Sequence, residues 1–267
     1  MKKAIIAASF GTTCKEAEEK SISALEKTFS DKFSEYEVRR AFTSPKVISV
    51  IRKRGERVDS LTEAMDRLIS EKFEEVIVQP THIIRGKEYD RLCADAERYR
   101  GSFSRMDIGV PLLSDDDSAE KVCSFIGKTF GEENAVLLMG HGTGHTANSI
   151  YAELGKKIAE SGYDNIFIGT INGTPTVNDI IPQLKSRGYR SVVITPLLLV
   201  AGEHARSDMA GSKSDSTLSV LESEGFSVTP VIKGMGEFEE IRSLYAEHLE
   251  STIRGIYSDT NNQLFYR

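Results

Sequence analysis

The sequence predicts an α/β protein of two similar lobes, each a parallel sheet flanked by helices and related by internal duplication. Apolar runs with strand character alternate with segments of helical spacing, the pattern of a parallel sheet covered on both faces. Two blocks of sequence also recur at fixed offsets, which marks one lobe as a copy of the other.

Strand-like runs fall at residues 4–9, 36–42, 76–79, 106–110, 135–139, 165–169, 192–195 and 227–231. Most are short and nearly continuous in apolar residues, as strands buried on both faces are. Helical spacing occupies residues 14–29, 61–73, 88–99, 119–130, 147–161 and 238–256. Two helix starts are signalled locally. Ser44 stands before Pro45, whose fixed φ suits a first helical turn, and Ser60 with Glu63 forms a capping box. After Pro196 and Gly202 the chain leaves a strand, and residues 205–209 are expected to open a helix. The polar tail, residues 258–267, is expected to fray.

The repeat organises the chain. Val76-Ile77-Val78-Gln79-Pro80, followed by Gly86 and Glu88, matches Val192-Val193-Ile194-Thr195-Pro196, followed by Gly202 and His204, at an offset of 116 residues. Ala4-Ile5-Ile6 with Phe10-Gly11-Thr12 matches Ala135-Val136-Leu137 with His141-Gly142-Thr143 at an offset of 131. The first lobe therefore carries about 15 extra residues, and the short basic helix expected within residues 45–59 is the natural place for them. The lobes are drawn as residues 1–130 and 131–267. Phe10 and His141 follow the first strand of each lobe, and Glu88 and His204 follow the third. Open α/β sheets bind ligands at these strand ends, so the four positions are candidates for one cleft. Two imidazoles and a carboxylate suit a divalent transition metal, and they also suit proton removal.

Composition narrows the partner. A net charge of -6 and the lack of a dense Lys/Arg run speak against nucleic acid, leaving a small molecule as the expected partner. Cys14, Cys93 and Cys123 are odd in number and widely separated, the pattern of reduced thiols in a cytoplasmic protein. The opening MKKAIIAASFG stops being apolar at Gly11 and reads as a first strand, not a signal peptide. No apolar stretch approaches the roughly 20 residues that span a bilayer, so no membrane partner is expected. No feature of the sequence sets an oligomeric state.

Other motifs compete for attention. MGHGTGH at residues 139–145 is glycine-rich, but His145 stands where a dinucleotide fingerprint needs its third glycine, and no Gly-Lys-Ser/Thr ending follows. No nucleotide is expected. His145 reads equally as a substrate contact or as a helix-start residue. His82 aligns with Leu198, which favours packing, and His248 sits in a charged helix, which favours solvent. His204 and Asp208, four apart, suit either an orienting pair that fixes an imidazole tautomer or an ordinary helix-start carboxylate.

SFGTT at residues 9–13, AFTS at 41–44, HIIRGKEY at 82–89, GVPLLS at 109–114, MGHGTGH at 139–145 and TPLLLVAGEHARSDMAG at 195–211 together resemble the anaerobic sirohydrochlorin cobaltochelatases of the CbiK type, within the class II chelatases. The resemblance spans nearly the whole chain and implies two α/β lobes and ATP-independent insertion of Co2+, as substrate metal, into sirohydrochlorin or precorrin-2 during cobalamin synthesis. Carried onto this sequence, it implies that His141 and His204 present the metal and that Glu88 accepts pyrrole protons. Phe10, Arg85, Lys87, His145 and Arg206 become expected substrate contacts, the cations because the macrocycle is rich in carboxylates. Where the family pattern has a metal-binding glutamate, this chain has Asn172, whose carbonyl oxygen carries no charge. Unit charges about 4 Å apart interact by about 4 kcal/mol at an effective dielectric near 20, so resting metal affinity should fall. Asn172 thus leaves room for a preference for Fe2+ or Ni2+, or for a carrier without turnover.

Overall fold

A computed structural model describes residues 1–132 and 134–256, so the expectation for the tail at 258–267 lies outside the described residues. The chain forms two compact units, one of Met1–Asp115 with Gly236–Arg267 and one of Asp116–Met235. The first unit begins with β1 (Lys3–Ser9) and α1 (Lys15–Glu18), which runs through a π-helical turn (Glu19–Ser23) into α2 (Ala24–Lys32). β2 (Glu37–Phe42), α3 (Pro45–Lys53), α4 (Leu61–Ser70), β3 (Glu75–Pro80), α5 (Lys87–Glu97) and β4 (Arg105–Ile108) follow. The second unit contains α6 (Asp116–Phe130), β5 (Val136–Gly140), α7 (Ser149–Glu160), β6 (Ile166–Thr170), α8 (Val177–Ser186), β7 (Ser191–Pro196), a π-helical turn (His204–Met209), α9 (Thr217–Ser223) and β8 (Ser227–Pro230). α10 (Glu239–Ile253) ends the described chain.

Both sheets are parallel and share one topology, β2-β1-β3-β4 in the first unit and β6-β5-β7-β8 in the second. Their registers agree with the sequence repeat. Ile5 pairs with Ile77, and their repeat partners Val136 and Val193 pair with each other. Every residue of β3 and β5 is buried, as expected of central strands with helices on both faces. The extra residues of the first unit include α3, which lies between β2 and α4; the second unit has only a loop between β6 and α8.

Local signals explain the helix starts. The Ser44 side chain accepts from the Val47 amide, with Pro45 in the first turn, and both arms of the Ser60–Glu63 capping box are formed. α8 was not anticipated, because Pro182 interrupts its apolar spacing and Pro175 stands just before its cap. The signal for it was a second capping box, Thr176 with Asp179. The segment at 205–209 is π-helical, not α-helical.

Two expectations need correction. The expected lobes, 1–130 and 131–267, put α6 in the first and α10 in the second, but α6 belongs to the second unit and α10 packs in the first. The Tyr245 hydroxyl reaches the carbonyls of Thr81 and His82 at 2.9 and 3.0 Å, and Arg105 on β4 donates to the carbonyls of Thr252 and Ile253 at 3.3 and 2.5 Å. For the same reason His248 is buried, not solvated, on the face shared with Tyr245, Leu249 and Thr252. Charge on the rest of α10 hid that face in the sequence.

The three cysteines are free, and burial pushes the Cys123 thiol up to about 11, which makes it a poor nucleophile. Among the described residues, no helix is long and apolar enough to cross a membrane.

Candidate functional site

The second unit brings two of the expected site residues together. His141 follows β5, and His204 opens the π-helical turn beyond β7. Their rings stand edge to face with centroids 4.8 Å apart. His141 Nδ1 lies 2.9 Å from the Gly142 carbonyl, which can only accept, so the ring proton sits on Nδ1. His204 Nδ1 lies 2.6 Å from Asp208 Oδ2, and a carboxylate fixes the same tautomer there. Both imidazoles are left with an Nε2 lone pair, the donor that a transition metal takes. The two readings of Asp208 are thereby separated: it orients His204.

Asn172 reaches the same place through its backbone. Its amide donates to the His141 carbonyl at 2.8 Å, and the Ile171 amide donates to Gly140 at 3.0 Å, so the loops after β5 and β6 are joined. Gly142 makes this approach possible. It has φ +75, and a Cβ there would lie 2.4 Å from the Gly173 amide nitrogen. Asn148, which the sequence reading did not single out, holds both loops, accepting from the Thr143 amide at 3.0 Å and donating to the Thr174 carbonyl at 2.6 Å. His145 Nδ1 accepts from the Ala147 amide at 3.2 Å, so this nitrogen caps the short helical turn Thr146–Asn148. Arg206 is exposed on the π-helical turn. Among the described residues no group of three or more His, Cys, Asp or Glu side chains is arranged to hold a metal, so the imidazole pair stands without a third strong donor of those types.

In the first unit Phe10 and Glu88 line one cavity of about 980 Å³. Phe10 is 44% exposed after β1, and Glu88 lies in the first turn of α5 with its side chain in solvent. Lys87, the first residue of α5, is exposed, whereas Arg85 lies over the Tyr89 ring at 5.3 Å and 3.9 Å from Asp90. His82 has both ring nitrogens buried without a hydrogen-bond partner. Burial pushes its imidazole down to about 4, against the pull of the Glu88 carboxylate, so it is neutral at neutral pH.

The second unit presents two imidazoles with free Nε2 lone pairs, a donor type that divalent transition metals take, and the first unit, taken by itself, presents a solvent-facing carboxylate at Glu88. Comparison with known proteins makes this specific. Residues 3–254 match the family model for cobalt chelatase (CbiK), and the chain belongs to that family. It is 32% identical over 257 residues to a sirohydrochlorin cobaltochelatase of Salmonella typhimurium, covering 95% of this chain and 97% of the relative. It is 33% identical over 261 residues to the sirohydrochlorin cobaltochelatase CbiKC of Nitratidesulfovibrio vulgaris, covering 96% of this chain and 92% of the relative. The fold also resembles that of the sirohydrochlorin chelatase SirB of Bacillus subtilis subspecies spizizenii, solved in complex with cobalt, with a TM-score of 0.65 at 13% identity over 96% of this chain and 97% of that one.

Proposed function

We propose that this chain is a metal chelatase that inserts Co2+ into sirohydrochlorin, or into precorrin-2, without ATP. The observation that carries the reading is the imidazole pair. With both Nδ1 atoms committed to Gly142 and Asp208, His141 and His204 each keep an Nε2 donor, on rings whose centroids are 4.8 Å apart. Two neutral nitrogen donors hold a divalent ion without adding the charge that would oppose its release to the macrocycle. Metal entry replaces two pyrrole N–H protons, and Glu88, a carboxylate open to solvent, is the acceptor that passes them on. The three free thiols agree with a reducing, cytoplasmic setting.

The test is the visible spectrum of sirohydrochlorin mixed with Co2+ under anaerobic conditions. The protein should accelerate the metallation change, and a rate no greater than that of the protein-free control overturns the proposal. Asn172 supports a second reading, in which Fe2+ or Ni2+ is the preferred metal, and competition between the metals in the same assay separates the two. Tight tetrapyrrole binding without turnover would instead identify a carrier.

A further inference from the structure

The cavity of the first unit has a wall with no counterpart in the second. Pro45, Ile48, Ser49, Arg52 and Lys53 form one stripe along α3, and Glu88, Arg91, Leu92 and Asp95 form one along α5. Positions three and four apart share a helix face, so each helix presents a continuous side to the same space. The charges on these walls largely neutralise one another. Arg52 donates to Glu63 and to the Val58 carbonyl, and Arg91 stands 3.9 Å from Asp95. Two groups are left over. Among the described residues neither the Lys53 ammonium nor the Glu88 carboxylate has an ion-pair partner, and both side chains are exposed. The cavity is thus bipolar, with an unpaired cation on α3 and an unpaired base on α5.

We propose that Lys53 is a specificity-determining residue, binding a peripheral carboxylate of the tetrapyrrole and so orienting the macrocycle with its N–H groups toward Glu88. The inference rests on the chelatase reading and adds a substrate-recognition role for α3. A cavity of about 980 Å³ is at the upper end of the range for small-molecule sites, which suits a large ligand. An ammonium on a flexible stem recognises a carboxylate as a point charge, so recognition follows the number and placement of carboxylates on the ring edge.

The experiment measures binding of metal-free sirohydrochlorin to the full-length protein by quenching of its fluorescence, at low and at high salt. Lys53→Gln should weaken binding about threefold, and Lys53→Glu about tenfold, as expected for losing and then reversing one partly solvated charge. Added salt should shrink both differences. Lys156→Gln, which removes an exposed lysine of α7, is the control for net charge and should leave binding unchanged. Co2+ affinity, measured without tetrapyrrole, should not move in any variant. Equal sirohydrochlorin affinity in wild type and Lys53→Glu overturns the proposal. Normal wild-type binding with no metal insertion overturns the chelatase reading and leaves the Lys53 result standing on its own.

Discussion

Asp208→Asn is the substitution that most directly probes the proposed metal-presenting role of His141 and His204. In the native protein the His204 Nδ1–H points at Asp208 Oδ2 across 2.6 Å, a short charge-assisted hydrogen bond. Such a bond is worth about 1.5–3 kcal/mol when well shielded. Here the two side chains are 45% and 37% exposed, so solvent screens the charge and the low end applies. Loss of about 1.4 kcal/mol corresponds to a factor of ten. The asparagine preserves shape, but its amide can turn an N–H toward Nδ1. That would favour the tautomer with its proton on Nε2 and remove the lone pair a metal needs. Titration with Co2+ at fixed pH and low salt should therefore show affinity about tenfold weaker, with insertion slowed to a similar degree. Thermal unfolding should move little, because neither group is in the core. A variant whose Co2+ affinity and insertion rate both stay within twofold of wild type refutes the orienting role.

Other outcomes follow from the same geometry. Asn172→Glu puts a carboxylate on the residue whose amide donates to the His141 carbonyl, and if that side chain faces the imidazoles Co2+ affinity should rise at least tenfold by equilibrium dialysis while metal release to the macrocycle slows. Gly142→Ala forces a Cβ against the Gly173 backbone at a residue with φ +75, so chemical denaturation should show a loss of more than about 1 kcal/mol together with weakened Co2+ binding. For His82, burial sets the folded-state value at about 4, below the ordinary 6.5 of an exposed imidazole. The unfolded chain then binds the proton first, so stability is full above pH 6.5 and falls as pH drops toward 4, by at most about 3 kcal/mol. Replacing His82 with Asn should flatten that part of the stability profile in urea titrations, and an unchanged slope contradicts the buried, neutral imidazole.

Much of the fold was legible because a parallel sheet buried on both faces writes continuous apolar runs into the sequence. The repeat of Val76–Pro80 in Val192–Pro196 is matched by equivalent strand pairings in the two sheets, Ile5 with Ile77 and Val136 with Val193, although the register itself was not read from the sequence. His141, His204 and Glu88 could be singled out for a related reason: they follow strands whose carboxyl ends must carry any ligand site, and the repeat places them at equivalent ends. α8 escaped because Pro182 inside it and Pro175 just before it obscure the spacing that signals a helix, although its capping box was in plain sight.

What only the tertiary structure decided is which partner each of several side chains meets, whether that partner is distant in the chain or close by. The allegiance of α10 is set by Tyr245 and Arg105 reaching backbone carbonyls more than 140 residues away, which no local pattern encodes. The same packing turned His248 inward. The choice between two readings of Asp208 needed a distance, because spacing of four allows a contact without requiring it. The site residues named by the sequence were types at strand ends; the fold made two of them a pair of imidazoles with their tautomers fixed, because only folding brings the Gly142 carbonyl and the Asp208 carboxylate to the correct ring nitrogens.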